Sequence, residues 1–129
     1  MSQANVDLVH AIYDAFARQD IPAIFALFDP AIEITQSREV PWGGEYKGHN
    51  GAMEFFAKLT QAIQSKVEHE RFIDAGDSIV QIGRTRGTVR ANGAAFDISE
   101  SHVWKIKDGK VVRYESYIDN AKMRAALAR

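Results

Sequence analysis

At 129 residues the chain has the commonest size of a single domain, enough to bury about two-thirds of its unfolded surface, so 1–129 reads as one unit. Sixteen Lys and Arg nearly balance seventeen Asp and Glu, which excludes a net field that would gather nucleic acid or an anionic membrane. The absence of cysteine excludes disulfides, thiolate metal sites and a Cys nucleophile, and fits a reducing cytosol.

Met1-Ser-Gln-Ala-Asn carries neither a basic nor an apolar leader region, and no apolar run approaches the roughly 18 residues of a membrane span. A cytoplasmic location follows as the expectation. From Gln3 to Gln19, Val6, Val9, Tyr13 and Phe16, flanked by Leu8 and Ile12, recur at the spacing of an amphipathic helix. Asp20 caps a second, short helix with Pro22 in its first turn and Ile24, Phe25, Leu27 and Phe28 facing inward, and Asp29-Pro30 stops it. Ala31 to Gln36 is β-prone. Ser37 to Gly48 reads as a loop holding Trp42. Asn50 then caps a third helix with an inward stripe of Ala52, Phe55, Phe56, Leu59 and Ile63.

From Lys66 the period becomes alternating, and Ala75-Gly76-Asp77, Asn92-Gly93 and Asp108-Gly109 mark the turns of a four-stranded meander. Reading Asn92-Gly93 as a type I′ turn pairs Ala91 with Ala94. That register puts Ile79, Gln81, Gly83, Thr85, Gly87 and Val89 on one face with Phe96, Ile98, Glu100, His102, Trp104 and Ile106. This face is apolar enough to meet the helices. Arg84, Arg86, Arg90 and Asp97 fall on the other, as a solvated or dimer-facing stripe. The last strand allows two parities. A two-residue Asp108-Gly109 hairpin sets Glu115 opposite His102, whereas a longer, bulged turn brings Tyr114 inward. Asn120 to Arg129 reads as a short, frayed helix.

Helices covering one face of a curled sheet form an α+β plan that leaves a hollow for a small molecule. Glu100 and His102 stand out on its wall because an ordinary core would not choose them, and in a dry site both would titrate far from their usual values. Metal binding is not expected, since His10, His49 and His69 share no ligand spacing. The sequence has no phosphate-binding glycine loop, no nucleophile elbow and no basic-aromatic platform for RNA.

Tyr13-Asp-Ala-Phe16 leading to Asp20, then Ala26-Leu-Phe-Asp29, Pro41-Trp-Gly-Gly-Glu-Tyr-Lys-Gly48 and Asp108-Gly-Lys-Val-Val-Arg-Tyr-Glu-Ser-Tyr-Ile-Asp119 resemble the SnoaL-like branch of the NTF2-like superfamily over nearly the whole chain. The resemblance implies a cone-shaped α+β barrel with three N-terminal helices on the concave face of a curved antiparallel sheet, and a homodimer through the outer sheet face. It also implies relatives among ketosteroid isomerases, polyketide cyclases and dehydratases. Against the ketosteroid isomerase pattern, the oxyanion Asp falls on His102, its aromatic neighbour on Trp104, the Tyr on Tyr13 or Ile12, and the base Asp on Thr35, which cannot abstract a carbon-bound proton. The pocket Asp of SnoaL-like cyclases matches Asp119, which can equally cap the following helix.

The candidate catalytic residues are therefore His102 as acid or donor, Tyr13, Glu100, Glu115 and Asp119. The candidate pocket residues are Phe16, Phe28, Thr35, Trp42, Phe55, Phe56, Leu59, Phe96, Ile98, Trp104, Tyr114 and Tyr117. The leading expectation is a cofactor-free isomerase, cyclase or dehydratase acting on a small apolar carbonyl compound. A non-catalytic carrier of a hydrophobic molecule and a dimeric interaction module are the alternatives.

Overall fold

The computed structural model describes residues 3–129; the leader-free reading of Met1 and Ser2 lies outside the described residues. In chain order the elements are α1 (Gln3–Ala17), α2 (Ile21–Ala26), β1 (Phe28–Gln36), β2 (Gly44–Lys47), α3 (Gly48–Ala62), β3 (Ile63–Asp74), β4 (Ser78–Val89), β5 (Ala95–Lys107), β6 (Lys110–Ile118) and α4 (Asn120–Leu127). The six strands form one curved, unclosed sheet in the order β2-β1-β6-β5-β4-β3, antiparallel except where β1 runs parallel to β6. The helices cover its inner face.

The apolar stripes explain the helices. Val9, Ile12 and Tyr13 of α1 and Ala52 and Phe55 of α3 are buried, as their spacing requires. The Asp20 carboxylate accepts from the Ala23 amide and opens α2, with Pro22 tolerated in the first turn. Four boundaries differ from the sequence reading. Helix α2 stops at Ala26, so Phe28 begins β1 instead of ending the helix, and Pro30 sits where β1 and β6 lose register. The segment read as a loop contains β2. Helix α3 starts at Gly48 without a side-chain cap, which places Asn50 inside its first turn. Ile63 opens β3.

Glycine sets the curvature. A Cβ on Gly83 would stand 2.1 Å from the Glu68 carbonyl oxygen, and one on Gly87 would stand 1.8 Å from that of Gln64. Strand β3 thus curls over the inner face of β4 only because these two positions lack side chains.

The predicted faces are observed, by a different turn. Asn92 lacks the positive φ that a type I′ turn demands, and Gly93 alone adopts it, at 71°. The loop is longer, and the last pairing of β4 with β5 is Thr88 opposite Ala95, not Ala91 opposite Ala94. The register moves by two residues, so every side chain keeps its face. Asp108 and Gly109, at φ 53° and 75°, form the two-residue turn with both central residues at positive φ. A bulge between Lys105 and Ile106 and their partners then shifts β6 by one residue. Tyr114 and Ser116 turn inward, and Glu115 turns outward opposite Val103 rather than His102.

The last helix is anchored, not frayed. Met123 and Ala126 are buried, the Asp119 carboxylate caps the helix through the Lys122 amide, and the Asn92 side-chain amide donates to the carbonyls of Ala126 and Arg129 at 3.0 and 2.8 Å.

Candidate functional site

A cavity of about 70 Å³ lies between the helices and the inner sheet face. Its walls are mainly aromatic: Phe16 from α1, Trp42 from the β1–β2 loop, Phe55 and Phe56 from α3, Trp104 from β5 and Tyr114 from β6. Trp42 folds inward because the Tyr46 hydroxyl donates to its carbonyl at 3.0 Å and holds the loop down. Tyr13, Glu100 and His102 meet at the polar part of the wall.

These groups form one directed chain. The Trp104 indole can only donate, and it does so to the Tyr13 oxygen at 2.9 Å. The Tyr13 hydroxyl hydrogen is left to donate to His102 Nδ1 at 2.6 Å. With Nδ1 accepting, Nε2 carries the imidazole proton and faces Glu100 Oε2 at 3.3 Å. The Gln81 amide, fully buried on β4, donates to the same carboxylate oxygen at 2.5 Å. Glu100 thus accepts directly from Gln81 and lies beside the Nε2 end of the Trp104–Tyr13–His102 chain.

A SnoaL-like domain model matches residues 9–114, a stretch that contains every member of this chain. The protein belongs to the SnoaL-like domain family. No curated protein matches it. Among solved structures, an NTF2-like protein of unknown function from Burkholderia pseudomallei K96243 is 28% identical with TM-score 0.92 over 100% of both chains. TerC, co-crystallised with polyporic acid, is 24% identical with TM-score 0.90, over 98% of this chain and 100% of its own. A provisionally assigned SnoaL-like polyketide cyclase from Jannaschia sp. CCS1 is 19% identical with TM-score 0.88, over 99% and 96%. The latter two likenesses concern the fold alone.

Within this SnoaL-like domain, burial governs protonation. It pushes the Glu100 carboxyl up to about 7, opposed by the Gln81 hydrogen bond. It pushes His102 down to about 3, assisted by repulsion from His69, so the imidazole is neutral and its 3.3 Å approach to Glu100 is a polar contact rather than an ion pair. Of the two roles expected for His102, acid or hydrogen-bond donor, a neutral imidazole fits the donor, since it holds no extra proton to give at neutral pH. Burial also raises the Tyr13 and Tyr114 hydroxyls, which keeps both protonated as donors.

Of the sequence candidates, Tyr13, Phe16, Trp42, Phe55, Phe56, Leu59, Glu100, His102, Trp104 and Tyr114 line the cavity. Phe28, Phe96 and Ile98 are buried in the core but do not reach it. Glu115 and Tyr117 lie outside because of the bulge in β6; Glu115 instead accepts from Arg113 and Tyr117, which hold it below the usual carboxylate range. Thr35 pairs with Glu115 and shares its outward side, while Ile34 pairs with the inward Tyr114. Asp119 is a helix cap. Sequence reasoning missed Gln36, Ser116 and Met123 in the lining and passed over Gln81, whose inner-face position among Ile, Gly and Thr was itself the signal. Among the described residues, no group of three or more His, Asp or Glu is placed to hold a metal ion.

Proposed function

We propose that the cavity receives a small, largely apolar carbonyl compound and that Glu100 moves a proton on it without a cofactor, giving an isomerase, cyclase or dehydratase. The observation that carries this reading is the buried chain Trp104–Tyr13–His102–Glu100, which ends on a carboxyl whose proton affinity matches neutral pH. Ionised Glu100 takes the proton from carbon next to the carbonyl and becomes the acid that returns it elsewhere. The enolate oxygen formed in between needs a donor that stays protonated, a role open to Tyr114. Neutral His102 links Glu100 to Tyr13 and orients both.

The test uses the protein's own reporters, since both of its tryptophans, Trp42 and Trp104, line the cavity. Small ketones and enones, with polyporic acid as a further probe, are screened by quenching of their fluorescence, and binders are followed for turnover. Turnover that rises with pH through about 7 and disappears in Glu100→Gln is the expected result. Tight binding with no turnover of any binder would overturn it in favour of a carrier. A specific observation favours that second reading: the walls are mainly aromatic, and the Tyr13 hydroxyl on the polar side is already hydrogen-bonded to His102 and Trp104.

A further inference from the structure

The reading of Glu100 as the base leaves open what keeps it poised as a proton acceptor, and the buried Gln81 amide bears directly on that. A carboxamide is nearly the same shape either way round, so its hydrogen-bond partners alone decide which end faces Glu100. If the NH2 group faces the carboxyl, the ionised form is stabilised; if the oxygen faces it, the protonated form is. The Gln81 NH2 nitrogen lies 2.5 Å from Glu100 Oε2 and 3.4 Å from His102 Nδ1, and the Gln81 oxygen lies 3.3 Å from His69 Nδ1.

His69 sits at the far end of this link, on β3 opposite Gly83. The space where a Gly83 side chain would stand is taken by the Gln81 oxygen, which would lie 2.5 Å from a Cβ there. The missing side chain lets His69 reach across the strand to Gln81. The His69 ring is also fixed by Tyr13 and Phe72, with ring centres 4.5 and 5.1 Å away. His69 is exposed and borders the open groove outside the cavity, not the cavity itself.

We infer that His69 is a positioning residue: by donating from Nδ1 to the Gln81 oxygen, it fixes the amide with its NH2 towards Glu100 and holds that carboxyl as an acceptor. The inference rests on the acid–base reading of the site but is tested apart from it. The groups facing Glu100 are Gln81, His102, Tyr13 and Tyr114, and the deciding variants, His69→Ala and His69→Asn, leave all four in place.

The side-chain carboxyl signal of Glu100 is followed against pH by carbon-13 NMR in the parent, His69→Ala, His69→Asn, Gln81→Met and the His69→Ala/Gln81→Met double variant. His69→Ala is expected to raise the midpoint by about half a unit or more, a roughly threefold or greater gain in proton affinity. His69→Asn, which offers an amide hydrogen near the place of Nδ1–H but no charge, restores most of the parent value. Gln81→Met raises the midpoint too, and His69→Ala adds nothing to it. An unmoved midpoint in His69→Ala overturns the inference. So does failure of Asn to rescue, or simple addition of the two shifts, since either means that His69 acts on Glu100 by its charge and not through the amide. A shift of the expected kind in a protein that turns over no compound leaves the positioning in place and removes the acid–base reading.

Discussion

Glu100 and His102 share one wall of the cavity, yet burial moves their proton affinities in opposite directions, and the two effects on stability oppose each other. Folded Glu100 binds its proton more tightly than the unfolded chain does, so between about 4.5 and about 7 the folded state holds more protons and this group costs stability as pH rises. Folded His102 binds its proton less tightly, so between about 3 and about 6.5 the unfolded state holds more protons and stability rises with pH. The slopes nearly cancel from about 4.5 to 6.5, and the Glu100 cost is complete only above about 7. Glu100→Gln removes that cost. Relative to the parent, the variant should be better placed at pH 8 than at pH 5 by about 2–3 kcal/mol in urea unfolding. An equal difference at both pH values would mean that Glu100 titrates normally. That these residues face inward was legible from alternation and one turn. Their protonation states were not, because these depend on how completely helices far away in the sequence exclude water.

Among the elements, local pattern predicted most of what depends on near neighbours, and failed where the chain departs from regular pairing. The Asn92-Gly93 reading had the wrong turn and the right faces, because an even shift in register leaves inward and outward unchanged. The same logic applied to β6 is defeated by a single bulge, which no residue type near Val112 announces and which sends Glu115 and Tyr117 outward. The α3–β3 boundary was missed because Ile63 continues the helical stripe and begins the strand equally well. Gly83 and Gly87 were visible as strand glycines, but the strand crowding them was not. Gly87→Ala should cost about 2–4 kcal/mol, since the backbone of β3 must retreat from the new methyl group. Gly76→Ala, with open space around it and only its φ of 89° to oppose it, should cost about 1 kcal/mol. Equal losses in denaturant titrations would refute the close approach as the source of the curl.

For the whole molecule, the outer sheet face is the counterpart of the cavity wall. Val80, Ile82 and Val103 are half-buried there, and Tyr117, 54% exposed, stands beside Ser101. Ion pairs flank this apolar centre, Arg84 with Asp97 on one side and Arg113 with Glu33 and Glu115 on the other. An apolar centre with a charged rim is the make-up of an interface between copies. A homodimer is the proposal, and Val103→Asp should convert it to monomer in light scattering without unfolding it; a parent protein that is monomeric at micromolar concentration would refute this. Asn92 has another role at this scale. One side chain in a surface turn ties down the C-terminal end of the helix that supplies Met123 to the cavity. Were that wall to yield for a bound molecule to leave, Asn92 would act as its latch without touching the molecule. Asn92→Ala should speed hydrogen exchange in α4 and ligand release together while leaving the association rate nearly unchanged, and stopped-flow tryptophan fluorescence would separate the two rates.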